Sequence, residues 1–171
     1  MGREATKAAG NPYYEARKKA AMYDERLSSR EGAAEMLGMS VSAVADAELG
    51  LSKCMPVDKA VMMAELYKAP YLLNNYCLNE CPIGCRLSLS DQVLSIDRVT
   101  VKLLRELKVD KLTEIKDTLL DIAEDGKITD DEKPALKGVL DYLDTVAKTV
   151  SELKTIGEMA LKGGCPDGRG E

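Results

Sequence analysis

The chain has 171 residues, of which 45% are hydrophobic and 31% charged, with a net charge of −5. This balance fits a globular protein with room for one large domain or two small ones, and it excludes a chain that is basic overall, the usual footprint of nucleic-acid binding. Histidine is absent, which removes the commonest general base and the ordinary catalytic triad, so no enzyme is expected.

Phe and Trp are also absent, and the apolar load falls on Leu, Val, Ala and Met. Leu, Ala and Met favour helices, and few β-branched runs occur, so an all-α fold is expected. No apolar stretch approaches the roughly 20 residues that cross a bilayer. The first 30 residues lack the apolar core of a signal peptide. A cytoplasmic protein without membrane contact is the expectation.

Residues 1–10 read as a loose Gly/Ala-rich tail. "NPYYEARKKAAMYDE" reads as a first helix, entered at Asn11 with Pro12 in its first position. "SSREGAAEMLG" is a second, capped by Ser29, with Ala33, Ala34 and Leu37 inward and Gly38 ending it. Ser40 caps a short third helix that Gly50 closes. Pro56 opens a fourth, with Val57, Val61, Ala64 and Leu66 inward, and Pro70 ends it. "PYLLNNYCLNEC" is a fifth, stopped by Pro82. The break "CPIGCRLSLS" divides a first domain, 11–81, from a second, 88–162.

The second domain carries longer patterns. A sixth helix begins at Ser90. A seventh, "DKLTEIKDTLLDIAED", places Leu112, Ile115, Leu119 and Ile122 at 3-4-3 spacing. The eighth runs from about Thr129 to Lys162, with Thr129 and Glu132 as a capping box and Pro134 in its second turn, a place for a bend. Its stripe of Val139, Leu143, Val146, Val150, Leu153, Gly157 and Ala160 alternates 4-3, a coiled-coil-like seam. Such a seam points to a homodimer. Residues 163–171 read as a flexible tail.

Residues 30–49 carry the spacing of a helix-turn-helix. Ala34 is the small residue that lets two helices cross. Gly38 takes the turn, and Val44 returns under the first helix, with Leu37, Met39 and Ala47 filling the other inward slots. On these residues "REGAAEMLGMSVSAVADAELG" resembles the DNA-binding domain of Cro and phage repressors, the Xre-type regulators. Glu48 and Gly50 match the Glu-x-Gly after their third helix. Pro56, the "MAELY" of Met63 to Tyr67 and the Ala-Arg-Lys of Ala16 to Lys18 match further along. The resemblance covers about residues 11–70. It implies a five-helix helix-turn-helix domain whose third helix enters the major groove of double-stranded DNA, usually as a dimer. With the second part as a helical hairpin or bundle ending in a long helix, the chain is expected to be a transcriptional regulator. The competing reading is a protein-interaction module whose degenerate helix-turn-helix no longer reads DNA.

The expected DNA-facing residues are Arg17, Lys18, Ser29, Arg30, Ser40, Val41, Ser42, Ala43, Asp46 and Lys53. Base reading normally uses Arg on guanine or Asn and Gln on adenine. The outer positions of the third helix have none of these, so Arg17, Lys18, Lys19, Arg26, Arg30 and Lys53 are expected to supply affinity through phosphates. The link before the second helix is also about six residues longer than the family norm.

Two further patterns stand apart. Cys77, Cys81 and Cys85 recur every four residues, and with Cys54 or Cys165 they offer thiolates to a metal or a disulfide. The expected reading is structural thiols at a domain junction, with no cofactor. "DIAEDGKITDDE" falls on a calcium-loop template with Asp121, Asp125, Gly126, Ile128 and Glu132 in place, but Ala123 removes a ligand. A glycine turn with a capping box is the reading preferred there.

Overall fold

The computed structural model describes residues 7–52, 55–124 and 126–163. Within them the chain is all-α, with eight α-helices in sequence. The first five are α1 (Pro12–Ala20), α2 (Arg30–Leu37), α3 (Val41–Leu49), α4 (Val57–Leu66) and α5 (Tyr71–Asn79). Beyond the junction lie α6 (Ile96–Glu106), α7 (Val109–Ala123) and α8 (Lys133–Leu161). No helix among the described residues is long and apolar enough to cross a membrane.

The helix ends follow local chemistry. Asn11 Oδ1 accepts the backbone N–H groups of Tyr13 and Tyr14, Ser29 Oγ that of Gly32, and Ser40 Oγ that of Ala43. These are orphan donors that the helix itself cannot satisfy. Gly38 ends α2 in the left-handed region at φ 57°, and Gly50 ends α3 at φ 66°. Two segments differ from expectation. Residues 7–10 form a turn that buries Ala8 in place of a loose tail. The link after α1 is tightened by a 3₁₀ turn, Glu25–Ser28, which passes over the start of α2. Gly32 permits that passage, because a Cβ there would stand 2.0 Å from the Arg26 carbonyl oxygen.

The first five helices share one core of Tyr13, Ala16, Ala20, Leu27, Ala33, Ala34, Leu37, Val44, Ala47, Met63, Tyr67 and Leu72. The small residues at the crossing of α1, α2 and α3 let their backbones approach, while Leu27, Leu37 and Met63 fill the volume between. On α4 the inward residues are Ala60, Met63 and Ala64, whereas the expected Val57 and Val61 are exposed. The helix is rotated so that its flexible methionine fills the centre of the core, a job suited to an unbranched side chain.

The second part corrects three expectations. Helix α6 starts at Ile96, six residues after Ser90, because the Ser90 hydroxyl donates to Glu152 on α8 and so ties the connecting segment down. Helix α8 begins at Lys133. Its Pro134 therefore sits at the first turn, where a proline costs no hydrogen bond and imposes no bend. The Glu132 carboxylate accepts from both the N–H and the hydroxyl of Thr129. On α7, Ile115 and Ile122 are buried while Leu112 and Leu119 are exposed.

The 4-3 seam of α8 is split. Val139, Val146 and Leu153 lie on the covered side of the helix, but Leu143, Val150 and Ala160 are exposed. Farther along, Thr149, Glu152, Ile156 and Met159 are buried. Met159 joins the core of the first five helices, and Asn74 Nδ2 on α5 donates to Ser151 Oγ and Thr155 Oγ1. The long helix thus serves both parts. It packs against α7 and against α6, from Tyr142, whose hydroxyl donates to the Glu106 carbonyl, to Glu152, which accepts from Lys102, and its second half also straps onto α5.

Candidate nucleic-acid interface

The helix-turn-helix is built from α2, the left-handed Gly38 and α3. Val44 and Ala47 turn inward, which fixes the opposite side of α3 as an outer face. Val41, Ser42 and Asp46 are exposed on that face, and Ala43 is half-buried. Ser40 and Ser42 hydroxyls lie 3.0 Å apart at its N-terminal end. Ser29 is exposed at the start of α2 and caps through an oxygen lone pair, which leaves its hydroxyl proton for an outside acceptor. Helix N-termini with aligned N–H groups are suited to phosphate oxygens.

Two links that spacing did not reveal hold α3 in place. Asn11 Nδ2 donates to the Ala47 carbonyl at 3.0 Å, so the cap of α1 also grips the end of α3. The second link is an ionic cluster. Arg17 Nε and Nη2 donate to Glu48 Oε1 and Oε2 at 2.5 and 3.1 Å, and Arg17 Nη1 donates to the carbonyls of Leu27 and Ser28 at 2.9 and 3.0 Å. Arg30 Nε adds a bond to Glu48 Oε2 at 2.7 Å.

Arg17 is 2% exposed and Glu48 1%. Arg17, expected on phosphate, is therefore an interior strut. Its guanidinium is covered by the protein and engaged with one carboxylate and two carbonyls. The sign of a side chain does not reveal its burial, and the signal available in the sequence was the position of Glu48, four residues after the inward Val44, whereas the other acid of α3, Asp46, falls on the outer face.

Burial by itself raises the Glu48 carboxyl. The hydrogen bonds from Arg17 and Arg30 outweigh it and hold that group below the usual carboxylate range. The same exchange lifts Arg17 above the ordinary arginine value, against the opposing effect of its own burial. Burial also pushes the Tyr67 phenol, beside this cluster, well above its usual value. The cluster stays charged and closed across physiological pH.

The remaining cations lie beside this strut. Lys18 is exposed and donates to the Ser28 carbonyl at 3.0 Å, and Lys19 is exposed. Arg30 is partly exposed while paired to Glu48. Lys7, Tyr14, Lys18 and Arg30 line a shallow groove between α1 and the N-terminal end of α2. Arg26 is turned back onto Asp24, with Nη2 2.6 Å from Oδ2. Lys53 lies outside the described residues. The structure therefore brings Lys18, Ser29 and Arg30 to one end of the motif and Ser40, Val41, Ser42 and Asp46 to the next, and it withdraws Arg17.

The cysteines show a local arrangement. Cys77 and Cys81 are half-buried, Cys85 is exposed, and none is in a disulfide. Cys81 Sγ accepts the Gly84 N–H at 3.4 Å, and the Cys85 thiol donates to the Pro82 carbonyl. Burial, then the neighbouring Cys81, raises the Cys77 thiol. Among the described residues no group of three or more Cys, Asp or Glu side chains converges as a metal site. Asp125 of the calcium-like loop, and Cys54 and Cys165, lie outside those residues.

Comparisons with protein-family models, curated proteins and solved structures return no match to this chain.

Proposed function

We propose that this chain is a DNA-binding transcriptional regulator that acts as a dimer on double-stranded DNA. The observation that carries the reading is the α2–Gly38–α3 unit. Its α3 is anchored from behind by Val44, Ala47 and Glu48, and it presents an outer face that the other described residues leave exposed. In this reading α3 lies in the major groove. Ser29 and the N-terminal end of α2 meet one phosphate, and Lys7, Lys18, Lys19 and Arg30 meet its neighbours. Val41 and Ala43 are suited to thymine methyl groups, Ser42 to a base edge and Asp46 to a cytosine amine. Two copies would set their α3 helices about one DNA turn apart, roughly 34 Å.

Because the contacts are mainly to phosphate, affinity is expected to fall steeply with salt. Four cations per subunit give about eight phosphate contacts in a dimer, enough for a loss of about 10³–10⁵ between 50 and 200 mM salt. Fluorescence anisotropy with random and genomic duplexes tests this. No binding to either at low salt ends the DNA reading.

One observation favours a second reading. The exposed side of α3 offers no Arg, Lys, Asn or Gln, and it does offer the anionic Asp46. A motif of this shape without DNA affinity is an interaction module, and the same titration separates the two.

A further inference from the structure

Helix α8 has a second apolar seam, offset from the one that spacing predicts. Leu136, Leu140, Leu143, Ala147, Val150, Lys154, Gly157 and Leu161 recur at 4-3-4-3-4-3-4, the period of a supercoiled helix pair. Among the described residues most of it is left exposed: Leu136 and Gly157 are half-buried, and Ala147, Val150 and Lys154 border a groove whose other wall is Leu73 of α5 with Ser88 and Leu89. Leu140 is 52% exposed, Leu143 45%, Val150 40% and Leu161 89%. Gly157, in the last third of a 29-residue helix, is a residue that weakens helices, and a Cβ built on it meets nothing within 4 Å. None of the described residues requires a glycine there.

The exposed strip continues onto α7. Leu119 and Leu112 stand four ahead of and three behind Ile115, as Leu143 and Leu136 do of Val139. In an antiparallel hairpin those matching offsets fall on the same side, and Leu112 and Leu119 are exposed.

We propose that this face binds a second copy of the same chain, with α8 packed antiparallel against its counterpart about a two-fold axis between Lys148 and Thr149. This register matches large residues to small ones. Leu140 covers Gly157 of the second copy, Val150 meets its Ala147, and Leu161 meets its Leu136. The one charged residue of the seam, Lys154, lies over Leu143 of the second copy with Asp144 beside it, and Lys137 faces Glu158. A parallel pairing in register would instead stack Lys154 on Lys154, Ala147 on Ala147 and Gly157 on Gly157. That arrangement sets like charges together and leaves two hollow layers.

The size of the face also suits a copy of itself. The seam from Leu136 to Leu161 is about 38 Å long at 1.5 Å per residue. With a width of roughly 10 Å it covers about 400 Å² per copy, and the flank of α7 and the exposed Leu73 and Leu87 extend it toward the ~800 Å² per partner of a stable interface.

The proposal supplies the surface for the dimer assumed under the proposed function, and it does not depend on whether α3 reads DNA. Sedimentation equilibrium of the full chain in reductant, without DNA, tests it. The natural chain is expected to be a dimer. Val150→Glu and Leu140→Glu, both at exposed positions, are expected to raise the dimer dissociation constant by more than about 30-fold while far-UV circular dichroism and melting temperature are kept. Lys137→Glu and Glu158→Lys are each expected to weaken the dimer by about three- to tenfold. Together they restore it, because only the antiparallel arrangement brings these two positions opposite each other.

A monomeric natural chain, unchanged dissociation constants in both Glu variants, or a double charge swap weaker than either single swap overturns the proposal. A monomer that still binds DNA sinks only this pairing. A dimer that binds none sinks only the DNA reading.

Discussion

Replacing Glu48 by alanine is the sharpest test of how α3 is held. The carboxylate accepts three charge-assisted hydrogen bonds, two from Arg17 and one from Arg30, and it is 1% exposed. Its loss leaves the Arg17 guanidinium buried against only the Leu27 and Ser28 carbonyls. Breaking a buried pair from one side costs about 3–5 kcal/mol, a third or more of the stability of a typical domain. For a chain of this length that is a fall in melting temperature of roughly 10 °C. Urea titration followed by circular dichroism measures it.

The double variant Arg17→Met/Glu48→Leu should cost clearly less than the two single changes combined, since no charge is then stranded. The pH dependence has a definite sign. The folded Glu48 carboxyl is held below its unfolded value of about 4.3. Its contribution is therefore fully present above that value and is lost as pH falls through the lower, folded one. A loss under about 1 kcal/mol for Glu48→Ala, with an unchanged denaturant slope, would refute the strut.

Four other outcomes follow from particular contacts. Gly32→Ala is expected to destabilise by more than about 2 kcal/mol, because its Cβ would meet the Arg26 carbonyl, and a thermal melt reads this directly. If DNA is bound, Lys18→Ala should reduce the magnitude of the log–log salt slope by about 1 with little change in stability, as measured by anisotropy. Arg17→Gln should do the reverse, lowering stability and leaving the slope of the folded protein intact. Glu152→Ala strands Lys102 and Ser90, both hydrogen-bonded to that nearly buried carboxylate. It should expose the amides of α6 to hydrogen exchange before those of α2 and α3.

The parts of the fold that local chemistry decides could be read from the sequence. Gly38, Ser40 and Gly50 mark the ends of α2 and α3 because a left-handed turn and an orphan N–H each demand a particular residue. Val44 and Ala47 follow from a 3.6-residue period. What could not be read depends on partners far along the chain. Arg17 and Glu48 are 31 residues apart, and neither residue type announces a buried pair. The rotation of α4 turns on whether Met63 or the branched Val57 and Val61 fit the space left by α1 and α2. On α8 two apolar seams share Leu143, Val150 and Gly157, and the side that the rest of the fold covers, through Val139, Glu152, Ile156 and Met159, follows neither of them. At the candidate interface the capping serines stood where their spacing put them, whereas the expected cation Arg17 did not.

The Arg17–Glu48 strut and the Asn11 grip hold α3 entirely from behind. Of the outward-facing side chains only Ser42 touches this hold, through its hydroxyl on the capping Ser40. The exposed Val41 and Asp46 are therefore interchangeable as far as folding is concerned, each worth within about 0.5 kcal/mol. That makes α3 a blank template. Arginine, asparagine or glutamine can be written onto those sites to give the helix a new vocabulary, and the scaffold would carry the edited text as firmly as it carries the present one.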